Sequence, residues 1–216
     1  MWWIELRQFD ESLVKYLGPA ERTRLAAFVN ERDRRRFAIG AAAVRLAAAR
    51  YLDARPSAVW IDRMCSRCGA GNGKPRLPDT GMYVSVSHSG ALMGVALAQG
   101  VDVGLDVEGY SDRARPRLAA RILADDEERP SDTRQFLRYW TRKESAVKAT
   151  GDGLSTDLVD VIVTGAGEPA ALLRYAGTNL AASMIDLDPL PDHCAALTVL
   201  APGGVDLTEH WGGLPI

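Results

Sequence analysis

The stretch Trp140-Thr141-Arg142-Lys143-Glu144-Ser145-Ala146-Val147-Lys148 contains neither glycine nor proline, and Trp140, Glu144 and Lys148 recur every four residues. At about 3.6 residues per turn this spacing drifts by only about 40° per step, so the three side chains share one helical face. The longer run over residues 132–150 reads as one helix, ended by Gly151-Asp152-Gly153. Its shared face carries a carboxylate and an ammonium one turn apart, with a large aromatic behind them. A surface ion pair on any helix looks the same, so the stretch takes its meaning from what surrounds it.

Upstream, residues 101–107 alternate. Val101, Val103, Leu105 and Val107 fall on one face, and Asp102, Gly104, Asp106 and Glu108 continue the other. Residues 82–87 and 92–98 read as two more strands, separated by His88-Ser89-Gly90. Nearer the start, residues 2–6 suggest a strand, 20–28 a short helix, and 33–52 a long helix with Asp33 as its N-cap and Pro56 beyond its end. Residues 59–62 read as a further strand. After residue 100 a helix is expected over 117–124, then the long helix, then strands over 158–163, 171–175, 180–186 and 194–200. The tail from Pro202 is rich in glycine and proline and is expected to be loosely held.

Strand, short helix, long helix and several strands thus occur in one order before residue 100 and again after it. This predicts an α+β fold of two similar lobes in one chain, a pseudo-dimer with its site in the cleft between them. The expected division is residues 1–100 and 101–216.

The chain of 216 residues is long enough to bury a substantial core, and 47% hydrophobic with 25% charged residues is ordinary for a globular protein. A net charge of −2 gives no general push toward nucleic acid or membrane. Charge is uneven, because Arg22, Arg24, Arg32, Arg34, Arg35 and Arg36 lie close together. That cluster suits an anionic ligand or a solvated helix face. Three cysteines and no basic-then-apolar opening lead to an expected cytoplasmic, reducing location. Cys65 and Cys68 lack the second pair that a zinc ribbon needs.

Asp106 and Glu108, one strand period apart, project from the same face, where each carboxylate raises the other's pKa unless a cation is near. Together with Glu144 they make an oxygen-ligand set suited to Mg²⁺. Ser87-His88-Ser89 has no Gly-x-Ser-x-Gly elbow, so hydrogen-bond donation to a phosphate is the alternative to nucleophilic catalysis. Asn72-Gly73-Lys74-Pro75 is not a Walker loop, because Pro75 stands where Ser or Thr must meet the metal. Its glycine still allows close backbone approach to a nucleotide, with Lys74 as a point charge. Each of these three, taken alone, is also explained by an ordinary strand face or turn.

In combination they carry more. Gly73-Lys74-Pro75, Ser87-His88-Ser89, Gly104-Leu105-Asp106-Val107-Glu108 and the Trp140–Lys148 run follow the order and spacing of the 4′-phosphopantetheinyl transferases. The chain resembles the longer, pseudo-dimeric, surfactin-synthetase-activating branch, and Arg36-Phe37-Ala38-Ile39-Gly40 followed by Val44-Arg45 resembles that branch's first long helix. The resemblance runs from about residue 19 to residue 155. It implies transfer of the phosphopantetheine arm from coenzyme A to a serine of an apo acyl- or peptidyl-carrier protein, releasing adenosine 3′,5′-bisphosphate. Mg²⁺, with Mn²⁺ as a substitute, is the implied cofactor, held by Asp106, Glu108 and Glu144. Glu144 is the implied base and Lys148 the counter-charge on the diphosphate. Arg36, Gly73, Lys74, Pro75, Ser87, His88 and Lys148 are the implied coenzyme-binding residues, with Arg22 or Arg24 reaching the 3′-phosphate. A monomer is expected, with an acidic carrier docking on the Arg-rich helix or on residues 113–121. The rival expectations are a different Mg²⁺-dependent phosphoryl or nucleotidyl transferase, and a non-catalytic coenzyme A or carrier-binding protein.

Overall fold

The computed structural model describes residues 1–64, 69, 71, 73–110 and 118–214, apart from the Leu154 side chain. Cys65, Cys68, Asn72 and the arginines at 113, 115 and 117 lie outside the described residues. In chain order the elements are β1 (Trp2–Glu5), α1 (Pro19–Ala26), α2 (Glu31–Leu52), β2 (Arg76–Leu77), β3 (Met82–Ser89), β4 (Leu92–Gln99), β5 (Val103–Gly109), α3 (Ala119–Ile122), α4 (Thr133–Thr150), β6 (Val161–Val163), β7 (Leu172–Tyr175), β8 (Ser183–Leu187), β9 (His193–Val199) and β10 (His210–Trp211). They form a mixed α+β protein of two compact units. The first holds Met1–Val86, Ala91–Gly100 and the segment from Thr208; the second holds Ser87–Gly90 and Val101–Leu207.

In the first unit the sheet order is β10-β1-β4-β3-β2. β1 runs antiparallel to β4, and β10 lies parallel to β1 on its other side. The core of this unit is built on α2. Its alanine-rich middle, Ala38 to Ala49, is buried, and small side chains let the helix lie close to the sheet. At Gly40 an added Cβ would meet the Met93 sulfur at 3.3 Å. The cap of α2 is Asn30, whose side chain accepts from the amides of Arg32 and Asp33. Asp33, expected as the cap, sits instead in the first turn, where its charge suits the positive end of the helix dipole. The helix stops at Asp53, in left-handed conformation (φ 48°). Buried Arg45 bonds Glu21 at 2.5 Å and the carbonyls of Pro56 and Val59, and its guanidinium fills the space that a side chain at Gly18 would need.

The strand expected over 59–62 does not form. Asp62 makes an isolated bridge with Arg76, and Trp60 is exposed. The helix expected over 117–124 is short, Ala119–Ile122 among the described residues. The strand expected from 158 begins at Val161, after a single 3-10 turn. The tail is not loose: β10 pairs with β1, and the Trp3 indole donates to Glu209 at 2.6 Å.

In the second unit the main sheet is β5-β9-β8, all antiparallel, with a separate β6-β7 pair. The connection order repeats that of the first unit, where the first strand pairs with the last of the run and the last with the one before it. α4 lies across β5 and β9. Asp132 caps it by accepting from the Gln135 amide at 2.8 Å, and Gly151 ends it at φ 81°. Gly104 sets how close it comes. A Cβ there would stand 1.9 Å from the Ser145 carbonyl oxygen and 2.3 Å from the Ala149 nitrogen. The strand face that carries Gly104, and therefore Asp106 and Glu108, is the face α4 covers.

Candidate active site

Asp106 lies inside the second unit, 4% exposed, on the strand that α4 covers. Its Oδ1 accepts from the Lys148 ammonium at 2.6 Å and from the Ser87 hydroxyl at 3.0 Å. Among the described residues its buried Oδ2 has no hydrogen-bond partner. Burial raises the Asp106 pKa, while Lys148, Ser87 and the Val107 amide oppose the rise. Lys148 also donates to the Ser87 hydroxyl at 2.9 Å, and the Val107 amide donates to the same oxygen at 3.3 Å. Ser87, expected as a phosphate donor, directs its hydroxyl at Asp106 and receives the Lys148 ammonium.

Two residues along, the arrangement repeats. The Ser89 hydroxyl donates to Glu108 Oε2 at 2.8 Å and accepts from the Gly109 amide at 3.0 Å. Ser87-x-Ser89 and Asp106-x-Glu108 both have strand period, so two serines meet two acids in register. Sequence reading missed Ser89, although its spacing from Ser87 was the available signal. Burial, then the Asp106 charge, raises the Glu108 pKa, with Glu144 adding a smaller push. Glu144 is likewise raised, by burial and then Asp106, with Lys148 opposing.

The three carboxylates expected to share a metal thus feel one another. Even so, among the described residues no group of three or more His, Cys, Asp or Glu side chains is arranged to hold a metal ion. The chemistry of the set still fits a divalent cation. It offers hard oxygen donors of like charge, and the orphaned Asp106 Oδ2 is a buried acceptor lacking the partner such atoms normally have.

What fixes Glu144 is the pair before it. Arg142 and Lys143 are fully buried, contrary to their polarity. Arg142 grips Asp186 with two nitrogens, at 3.0 and 2.6 Å, and reaches the carbonyls of Thr164, Gly165 and Glu168. Lys143 bonds Glu127, which also accepts from the amides of Ala124 and Val163. Burial lowers the Lys143 pKa, opposed by Glu127. With Arg142 and Lys143 anchored, the rotation of α4 is set, and Glu144 and Lys148 stay half-buried on one side. Sequence reading missed Arg142, Lys143 and Glu127.

His88 is exposed. In the first unit, Arg36 pairs with Asp33 at 3.2 Å, Lys74 and Gly73 are half-buried, and Pro75 is buried. The Gly73 amide donates to the Arg63 carbonyl. Arg22 is tied to the carbonyls of Leu17 and Lys15, whereas Arg24 reaches the Gly71 carbonyl and stacks on Phe37. The arginine cluster is largely answered by its own acids: Arg34 by Glu11, Arg35 by Glu31, Arg36 by Asp33. Among the described residues no helix is long and apolar enough to cross a membrane.

A family model described as the 4′-phosphopantetheinyl transferase superfamily matches residues 102–198. The 4′-phosphopantetheinyl transferase HetI of a Nostoc species is 30% identical over 220 residues, covering 94% of this chain and 88% of that protein. The 4′-phosphopantetheinyl transferase Sfp of Bacillus subtilis is 26% identical over 163 residues, 69% of this chain and 66% of that one. Among solved structures, holo-[acyl-carrier-protein] synthase of Thermotoga maritima aligns at TM-score 0.40 and 27% identity, over 49% of this chain and 66% of that one, a likeness too slight to argue from.

Proposed function

This chain belongs to the 4′-phosphopantetheinyl transferase superfamily, and from that premise we propose how its residues move the phosphopantetheine arm of coenzyme A onto a serine of an apo acyl- or peptidyl-carrier protein. The observation that carries the assignment of the centre is Asp106: a buried carboxylate with Lys148 on one oxygen and, among the described residues, no hydrogen-bond partner on the other.

The serine hydroxyl of the carrier attacks the β-phosphorus of the coenzyme diphosphate. A new P–O bond forms, the bond from that phosphorus to the bridging oxygen breaks, and adenosine 3′,5′-bisphosphate leaves with the electron pair. The hydroxyl proton goes to Glu144, directly or through a water. Lys148 balances charge near the splitting diphosphate while holding Asp106 in place. Asp106, Glu108 and Glu144 would hold Mg²⁺, or Mn²⁺ in its stead, and the ion supplies neutralisation of the diphosphate oxygens. Ser87 positions Asp106. Arg36, Gly73, Lys74, Pro75 and His88 bind the coenzyme, and Arg24, beside Gly71, is preferred over Arg22 for the 3′-phosphate. The pseudo-dimeric plan belongs to this reading, supported by the like connection order of the two sheets. The enzyme is read as a cytoplasmic monomer, with neither nucleic acid nor membrane as a partner.

The test is to incubate the protein with coenzyme A, Mg²⁺ and an apo carrier of fatty-acid type or of peptidyl type, and to weigh the carrier. A gain of one phosphopantetheine arm on either supports the reading, and no gain on both overturns it. Glu144→Gln should abolish the gain while coenzyme A binding, followed by calorimetry, is kept. Full activity in that variant removes Glu144 as the base.

A further inference from the structure

We propose that Ser89 and His193 form one positioning device for Glu108. The inference rests on the transfer reading, which is what gives Glu108 a task.

Asp106 is held twice, by Ser87 and by Lys148. Glu108 is held once. Among the described residues its hydrogen bond comes from Ser89, and no basic side chain stands within ion-pair distance. The placement of Glu108 therefore depends on the placement of Ser89, which lies at the end of β3 just before the turn at Gly90 (φ 58°).

His193 lies beside that turn. It pairs with Gly109 across β5 and β9, and its ring lies over the glycine: a Cβ at Gly109 would be 3.2 Å from Nε2 and 3.5–3.6 Å from the ring carbons. A Cβ at Gly90 would be 3.9 Å from the same nitrogen. One imidazole thus occupies the space next to the residue after Ser89 and the residue after Glu108, the two chain neighbours of a single hydrogen bond. The ring is 8% exposed and is pinned by Nδ1, 2.8 Å from Asp192 Oδ1. Its Nε2 has no partner. A buried polar atom left unpaired is a cost, and an apolar side chain would fill the space without it. The imidazole's distinguishing contribution is a flat ring fixed in orientation by Asp192, lying where side chains at Gly109 and Gly90 would otherwise reach. It acts through the Ser89 hydrogen bond, not on the reacting atoms.

The experiment compares Ser89→Ala, Ser89→Thr, His193→Ala and the Ser89→Ala/His193→Ala double variant with wild type. It reads kcat on an apo carrier, coenzyme A binding by calorimetry without added metal, and thermal unfolding. Each alanine variant should lose about tenfold or more in kcat, the scale of one hydrogen bond to a charged group, with coenzyme A affinity within about twofold of wild type. Threonine, which keeps the hydroxyl, should restore most of the rate. The double variant should be no slower than the slower single one, because both changes remove the same restraint. Losses that multiply in the double variant, a rate near wild type in Ser89→Ala, or failure of threonine to rescue would overturn the proposal. If His193→Ala does not fold, His193→Gln takes its place in the same cycle with Ser89→Ala. Wild type inactive on every carrier would sink the transfer reading instead, so the two failures are distinguishable.

Discussion

Asp106 and Lys148 depend on each other. Removing the ammonium leaves a buried carboxylate unpaired, which is worse than having neither charge. Lys148→Met should therefore lose about 2 kcal/mol of stability, less than for a fully buried pair because Lys148 is partly exposed. Asp106→Asn added to it should recover part of that loss while activity stays absent. Denaturant unfolding of the three proteins checks this, and no recovery in the double variant would mean that the pair is not what stabilises this spot. Cys194 gives a second check. Burial pushes its thiol up to about 12, so almost none is thiolate at pH 8. With Cys65→Ser and Cys68→Ser in place, a thiol reagent at pH 8 should label nothing until denaturant is added. Rapid labelling of the folded protein would contradict the burial of β9.

At the scale of elements, the contact between α4 and β5 is the tightest point of the second unit. Gly104→Ala puts a methyl into the α4 backbone, where no side chain can move aside. It should cost about 3 kcal/mol or more and lower activity through displacement of Glu144 from Asp106, whereas Gly100→Ala, with open space around it, should be limited to the strain of its positive φ. Melting temperatures of the two variants make the comparison. Both α4 and β5 were legible in the sequence, because their periodicities are local and long. Residues 59–62 were misread for the opposite reason: Val59-Trp60-Ile61, three strand-prone residues in a row, look like a strand, but a strand needs a partner, and pairing is not written in the segment itself. Arg142 and Lys143 were illegible as buried groups because their carboxylate partners lie 44 and 16 residues away in the chain. The acids at 106, 108 and 144 could be picked out, whereas Ser89 was signalled only by its spacing from Ser87 and His193 by nothing local. Their roles come from register between strands.

At the scale of the whole molecule, the tail is the correction that matters most. Glycine and proline predicted a loose end, yet β10 adds an outer strand to the first unit and brings Glu209 to the Trp3 indole. A chain ended at Leu207 should lose about 3 kcal/mol from the charged hydrogen bond and the strand pairing, with a red shift in tryptophan fluorescence as Trp3 and Trp2 lose their cover. An unchanged melting temperature would show that the strand is ornamental. The same topology bears on how the protein is made. In the second unit the strand paired with β5 is β9, near the end of the chain, and in the first unit β10 comes later still. On the ribosome, where about 5–20 residues emerge per second, β5 and its acids would spend several seconds without their neighbouring strand. Neither unit completes its sheet until β9 and β10 have emerged, so nascent-chain protection from proteolysis should arrive late and nearly together for both.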